Sequence, residues 1–419
     1  MLMFDLTLTP EQLEMRDTLR DFAQREMKAA AIHPDRLQPF EKPVMTDLLT
    51  KSAQLGIRTL ALSEEAGGAG ADNLTTCIVL EELASGEVDV ATILGNTAAL
   101  GRTLFDTLMS AEQKAKYVKA FVEDDNYHLA FAGTTIEAGI GWTYHRDAYD
   151  EGVVTPTAVK QGNDWVINGH IEAVSNAPLA KLFAVQVRTD SKKTGMNGLS
   201  TFLIPRDTAG FNVQKTISAF GGPNNTMTRW HHGTAAAIEL KDCKVPAANL
   251  LGREGACPFA DGKLLARNSV VSAAIALGVG RASYDAAVDY SKMRRQGGRN
   301  IMEHQAIGTK IADCTIKLEL SRNMVWKAAW ALDHPEAIAD RSVSELPLHV
   351  IARVASAEAV HEVTLLAAEC FGAMGVMRDM PLQKYVNDGF IIAHSEDTDG
   401  AAKLQIAESV AGFERKLAA

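Results

Sequence analysis

Four cations, Lys292, Arg294, Arg295 and Arg299, fall within eight residues around Gly297-Gly298. Guanidinium groups beside a glycine turn can grip a phosphate, and the same run also fits the solvated end of a helix. A second concentration of ionisable groups is His394-Ser395-Glu396-Asp397-Thr398-Asp399. Glu396 could accept a proton if water were excluded from it, or lie exposed beside its acidic neighbours. The run Asp397 to Gly400 resembles part of a calcium loop, but Ser395 and Ile406 occupy the places of the first and twelfth ligands. No metal site is expected there. His231-His232 lacks a partner set with zinc spacing and reads as a polar loop pair. Gly67-Gly68-Ala69-Gly70 is not followed by Lys-Ser/Thr and reads as a plain turn.

The 419 residues include 42 Lys+Arg against 52 Asp+Glu, a formal charge of −10. That sign is wrong for a surface that neutralises nucleic-acid phosphates, so nucleic acid is not an expected partner and an anionic ligand must meet a local basic site. With 47% hydrophobic residues and no long apolar run, the chain reads as globular, of two or three domains or one large composite one, and without a membrane span. Five scattered cysteines, Cys77, Cys243, Cys257, Cys314 and Cys370, lack CxxC spacing and are expected as free thiols. The opening Met1-Leu2-Met3-Phe4-Asp5 has no targeting pattern, so a cytoplasmic location is expected.

The elements that must position these residues follow from pattern. Thr9-Pro10-Glu11-Gln12 and Ser110-Ala111-Glu112-Gln113 each place a capping hydroxyl three residues before a glutamine, and a helix is expected after both. Residues 1–128 read as an N-terminal helical domain. Residues 129–245 change to short alternating runs, with Asn168-Gly169 as a hairpin turn between Trp165-Val166-Ile167 and His170-Ile171-Glu172-Ala173. Residues 246–419 return to helix, where Ile307, Ile311, Cys314, Leu318, Val325 and Leu332 form one stripe of a long amphipathic helix. The expected fold is α+β: a helical domain, a middle antiparallel β-barrel or sandwich, and a C-terminal four-helix bundle. Strands confined to the middle argue against a doubly wound nucleotide-binding sheet.

Within this order, Met293-Arg294-Arg295-Gln296-Gly297-Gly298 and the following His304-Gln305 resemble the Arg-x-x-Phe-Gly and His-Gln segments of acyl-CoA dehydrogenases. Glu369-Cys370-Phe371-Gly372-Ala373-Met374-Gly375 is similar to that family's Gln-x-Phe-Gly-Gly-x-Gly, with Pro381 at the family's proline. His394-Ser395-Glu396-Asp397-Thr398 stands at the place of Tyr-Glu-Gly-Thr. Ser63-Glu64-Glu65-Ala66-Gly67-Gly68 resembles Pro-Glu-Glu-x-Gly-Gly, and Ala173-Val174-Ser175-Asn176 resembles Trp-Ile-Thr-Asn.

The resemblance implies FAD-dependent α,β-dehydrogenation of an acyl-CoA thioester. Glu396 would be the base for the α proton, and FAD would supply the hydride acceptor that no side chain can be. By position, Arg294, His304, Gln305, Ala173, Val174, Ser175, Glu369, Cys370, Phe371, Gly372, Ala373, Thr398, Asp399 and Gly400 would contact the cofactor. Asp397 would stand at the pocket mouth, and Arg267 near the family's CoA-binding positions, which Ala266 and Ser269 now fill. An electron-transfer flavoprotein is the implied electron acceptor, and a homo-oligomer, dimer or tetramer, the implied assembly.

Departures from the family pattern carry their own expectations. Glu369 in place of Gln turns a carboxylate toward a pyrophosphate, which requires protonation, rotation away or a cation such as Arg294. Gly297 replaces an aromatic, Ala373 a glycine, and Ala173 the tryptophan that packs on the flavin. Thr134 to Gly141 echoes the family's Thr-Glu-Pro-Gly loop only faintly, so the acyl group is not read from sequence. Relatives on this fold also include acyl-CoA oxidases, a desulfinase and flavin monooxygenases, and a scaffold without catalysis is a further reading. Retention of a carboxylate at 396 favours dehydrogenation. Purified protein is expected to be yellow, with one FAD per chain; a colourless preparation would leave the scaffold reading standing.

Overall fold

The computed structural model describes residues 7–32, 44–133, 135–136, 154–193, 198–214, 232–258, 266–377, 379–394 and 400–412. Thr9 caps α1 (Pro10–Phe22): its hydroxyl accepts from the Gln12 amide at 3.2 Å, and the Gln12 side chain accepts from the Thr9 amide at 3.0 Å. A π-turn, Ala23–Met27, leads into α2 (Lys28–Ala31), followed by α3 (Thr46–Gln54), α4 (Asn73–Gly86) and α5 (Val88–Gly101). Asp72 and Glu87 cap the last two by accepting from backbone amides. Ser110 and Gln113 repeat the reciprocal cap before α6 (Ala111–Glu123).

The middle region begins with β1 (His128–Ala132), β2 (Thr135–Ile136), β3 (Val154–Thr155) and β4 (Thr157–Gln161). It continues through β5 (Asp164–Ser175), β6 (Ala180–Arg188), β7 (Leu199–Pro205), β8 (Phe211–Val213), β9 (Ala235–Pro246) and β10 (Leu250–Leu251). The main sheet runs β10-β7-β6-β4-β5-β9-β8. Its pairing is antiparallel, except that β1 and β4 each meet β6 in parallel. Trp165, Ile167, Phe183, Val185, Phe202, Ile238 and Val245 share its buried core. The sheet extends to Leu251, which pairs with Thr201, six residues beyond the expected return to helix.

The hairpin expected at Asn168-Gly169 is a correction. β5 runs straight through that dipeptide, and the turn from β4 lies at Gly162-Asn163, with Gly162 at φ +62°. Gly169, at φ +138°, forms a bulge where the register with β9 shifts, and a Cβ there would lie 2.7 Å from Pro156 Cα. The glycine that suits a tight turn suits a bulge for the same conformational reason.

The C-terminal region comprises α7 (Ala266–Met293), a small hairpin of β11 (Arg295–Gln296) and β12 (Arg299–Asn300), then α8 (Gln305–Asp333), α9 (Pro335–Ala339), α10 (Leu348–Phe371), α11 (Leu382–His394) and α12 (Gly400–Ala411). α7, α8, α10 and α11 pack as the bundle, and Ile311, Cys314, Leu318 and Val325 are the buried stripe of α8. Residues Leu348–Val376 are long and apolar enough to cross a membrane by length and composition. Here α10 packs against α7, α8 and α11, the setting of a bundle core helix. All five cysteines are buried free thiols; burial pushes Cys243 up to about 11 and Cys314 up to about 12.

Charged contacts lock α4 and the α4–α5 junction to the other regions. Glu82 accepts from Arg281 twice at 2.6 Å and from Arg20 at 2.7 Å, while Glu81 accepts from Arg322 at 2.8 Å. His232, expected in a polar loop, is instead buried: its Nδ1 lies 3.5 Å from Asp89 Oδ1, and its Nε2 lies 3.1 Å from the Asp388 carbonyl. One imidazole thus joins the middle region to both helical ones.

Burial alone would raise the Glu82 carboxyl, but hydrogen bonds from Arg281 and Arg20 outweigh it and hold it below its ordinary 4.5. Glu82→Gln is therefore expected to cost about 3–5 kcal/mol in urea unfolding near neutral pH, with the deficit shrinking as pH falls through the lowered value. For His232, burial lowers the affinity for a proton, and the Asp89 hydrogen bond with the Asp388 and Asp89 charges raises it more, so the folded value lies above 6.5. Its contribution is complete below 6.5 and lost as pH rises through the folded value. The stability deficit of His232→Gln should accordingly be larger at about pH 6 than at about pH 9.

Candidate functional site

The basic run begins with Lys292 in the last turn of α7 and continues beyond that helix. The Arg294 amide donates to Tyr290 O at 2.8 Å and the Ile301 amide to Arg294 O at 2.9 Å, closing the small hairpin. Gly297 (φ +60°) and Gly298 (φ +82°) form its two-residue turn, the positive-φ pair that matches strand twist. Arg295 and Arg299 therefore stand on an exposed hairpin and not on a helix end. His304 Nε2 bonds Gln296 O at 2.9 Å, and a Cβ on Gly297 would come within 3.2 Å of the His304 ring. The glycine at 297 thus serves both the turn and this histidine. Gln305 is exposed at the first residue of α8.

The end of α10 is held beside this hairpin. The Tyr290 ring stacks on Phe371 with centroids 4.0 Å apart and planes 12° off parallel. Phe371 and Cys370 are buried, whereas Glu369, Gly372 and Ala373 are exposed. Gly372 terminates α10 at φ +58°, with open space where a Cβ would stand. Gly375 packs so closely that a Cβ would meet Ala368 O at 2.5 Å. A cavity of about 700 Å³ opens here, with Glu369, Gly372, Gly375, Lys384, Asn387 and Phe390 among its walls. Glu369 does not pair with Arg294. It accepts a hydrogen bond from Lys310 of α8, while the exposed Arg294 side chain makes no hydrogen bond among the described residues. Sequence reading missed Lys310, because only the packing of α8 on α10 brings together residues 59 positions apart.

The other cofactor-position residues end β5. The register with β9 shifts between Ile171 and Val174, a bulge that re-aims Ala173. Val174 is buried, Ala173 partly buried and Ser175 exposed. Asn176 fixes this strand end in the left-handed conformation, φ +65°. Its amide nitrogen Nδ2 donates to Ile93 O at 3.0 Å, Thr97 Oγ1 at 3.2 Å and Leu129 O at 3.3 Å. Its backbone amide donates to Thr234 O at 2.7 Å. The buried Asn176 Oδ1 has no hydrogen-bond partner among the described residues.

Glu396, Asp397, Thr398 and Asp399 lie outside the described residues, as do most of Thr134 to Gly141 and His231. Glu396 follows the end of α11 at His394 and precedes the start of α12 at Gly400. His394 Nδ1 donates to Phe390 O at 2.9 Å, and the two rings stack at 4.2 Å. Arg267 occupies the first turn of α7, partly buried and without a hydrogen bond or ion pair among the described residues. Burial first, and the Arg102 charge next, depress its proton affinity, while Asp333 and Asp106 oppose them. Those two carboxylates are already engaged, Asp333 by Asn73 at 2.6 Å and Asp106 by Ser63 at 2.7 Å.

A dinucleotide cofactor requires open volume, backbone that a phosphate can approach and a cation close by. The cavity and the bare Gly372 meet the first two requirements, and Arg294, four residues past the Tyr290 that stacks on Phe371, is an exposed cation at the same end of the bundle.

Three family models match in the order of the fold. The acyl-CoA dehydrogenase N-terminal domain covers residues 9–125, the middle domain 140–232 and the C-terminal domain 261–411. The chain is 30% identical to the rat mitochondrial short-chain specific acyl-CoA dehydrogenase, over 95% of this chain and 90% of that one. It is 29% identical to the probable acyl-CoA dehydrogenase YngJ of Bacillus subtilis, over 96% and 98%. The solved butyryl-CoA dehydrogenase of Megasphaera elsdenii superposes with a TM-score of 0.81 at 25% identity, covering 97% of this chain and 100% of that one. The chain belongs to the acyl-CoA dehydrogenase family of oxidoreductases, and its cofactor is FAD.

Proposed function

We propose that this enzyme dehydrogenates a short-chain acyl-CoA across its α and β carbons, with Glu396 as the base for the α proton. The observation that carries the reading is a carboxylate kept at the family's base position, in the connection between α11 and α12, in a chain that also keeps the cavity and glycines at the end of α10. FAD, when bound, supplies the hydride acceptor.

The chain's own residues divide the remaining work. Arg294, Gln305 and the backbone of Glu369 to Ala373 hold the dinucleotide, with His304 bracing the hairpin that carries Arg294. The Ser175 hydroxyl, at the strand end that Asn176 fixes, would meet the flavin. Ala173, Val174, Cys370 and Phe371 shape this setting mainly through packing and backbone; Thr398, Asp399 and Gly400 follow the base. The Glu396 backbone N–H donates to the thioester oxygen, which stabilises enolate-like charge and acidifies the α proton that the Glu396 carboxylate removes. Arg267, without a partner among the described residues, is available to an anionic group of CoA, and Asp397 would stand at the mouth of the acyl pocket.

Electrons would leave to an electron-transfer flavoprotein. Exposed Ile316 and Leu320 on α8 and Phe390 on α11 support assembly as a homo-oligomer, dimer or tetramer. Choice of a short acyl group rests on the named substrates of the relatives. In an anaerobic stopped-flow experiment with butyryl-CoA, Glu396→Gln should retain FAD and bleach it about 10²–10⁴-fold more slowly than the parent. An unchanged rate would remove Glu396 from the reaction.

A further inference from the structure

The ion pair between Lys310 and Glu369 joins α8 to α10 at the edge of the 700 Å³ cavity that Glu369 helps to line. Both side chains are solvated, Lys310 one-third exposed and Glu369 more than half. A pair in that setting contributes little to folding. Its position points to another use. A carboxylate at this rim, left alone, would repel any phosphate entering beside it, in a chain that already carries a charge of −10. Arg294 stands at the same end of the bundle through the Tyr290–Phe371 stack, but its guanidinium does not engage Glu369. Arg294 and Lys310 thus stand as two cations against the Glu369 carboxylate at this end of the bundle, with Asp313 three residues along α8 from Lys310.

We propose that Lys310 is a positioning residue for the cofactor: its ammonium cancels the Glu369 carboxylate and makes the rim attractive to the diphosphate of FAD. The inference rests on the reading that this end of the bundle receives that diphosphate. Lys310 acts on the bound anion through charge, so a lysine or an arginine can serve and an isosteric apolar side chain cannot. Glu369 in turn becomes harmless once neutralised, by Lys310 or by conversion to an amide.

The test is a double-mutant cycle on FAD affinity, measured by flavin fluorescence as apoprotein is titrated with FAD. Lys310→Met should weaken binding about tenfold, and adding Glu369→Gln to that variant should restore affinity to within about threefold of the parent. Lys310→Arg should bind as the parent does, and Glu369→Gln alone at least as tightly. The loss in Lys310→Met should diminish at high salt, while the melting temperature of its apoprotein stays that of the parent. Affinity of Lys310→Met within twofold of the parent, or loss that Glu369→Gln does not recover, overturns the proposal. Arg294→Ala separates the two levels. If it weakens FAD binding while Lys310→Met does not, Lys310 alone loses its role. If neither variant weakens binding, the placement of the diphosphate at this rim falls as well.

Discussion

Charge is the constraint on which the proposed site depends. A chain with ten excess negative charges must bind an anionic dinucleotide, and salt screens interactions beyond roughly 8 Å at physiological ionic strength. What matters is therefore the handful of groups around the phosphates. The bundle gathers them at one end: a hairpin carrying arginines, an α10 terminus ending in bare glycine, and a lysine that occupies the nearest carboxylate. The Tyr290–Phe371 stack is the mechanical link, since it ties the end of α7 to the end of α10.

Charge also fixes the regions against one another. α4 carries two adjacent glutamates that receive three arginines from α1, α7 and α8. The first turn of α5 supplies Asp89, which meets His232 and the Gly233 amide. The carboxylates are buried, so each depends on its partner being present. Asn176 adds a neutral version of the same device, one side-chain amide reaching α5 and β1 from the end of β5. Residues at the end of β5 and at the foot of α11 are thereby set in a common frame.

Much of this was legible in the sequence, for local reasons. The two capping boxes are confined to four residues each, and the α8 stripe is a periodicity within one helix. The α, β, α order and the motifs around Arg294, Glu369 and Glu396 likewise lie along the chain. What failed depended on distant partners. Asn168-Gly169 has the chemistry of a turn, but pairing with β9 uses its glycine for a bulge. His232 looks solvated until Asp89 and Asp388 close around it. The departure at Glu369 left protonation, rotation away or a cation such as Arg294 open; helix packing supplied the cation as Lys310. The parallel pairing of β1 with β6 has no local signature at all.

The central claim is that residue 396 removes a proton from the carbon next to the thioester. It is tested most directly by following label at that carbon: the FAD-loaded protein is incubated anaerobically with α-deuterated butyryl-CoA, and the recovered thioester is analysed by mass spectrometry. The account predicts loss of deuterium to solvent with the parent enzyme and retention with Glu396→Gln. Equal loss from both proteins would contradict it.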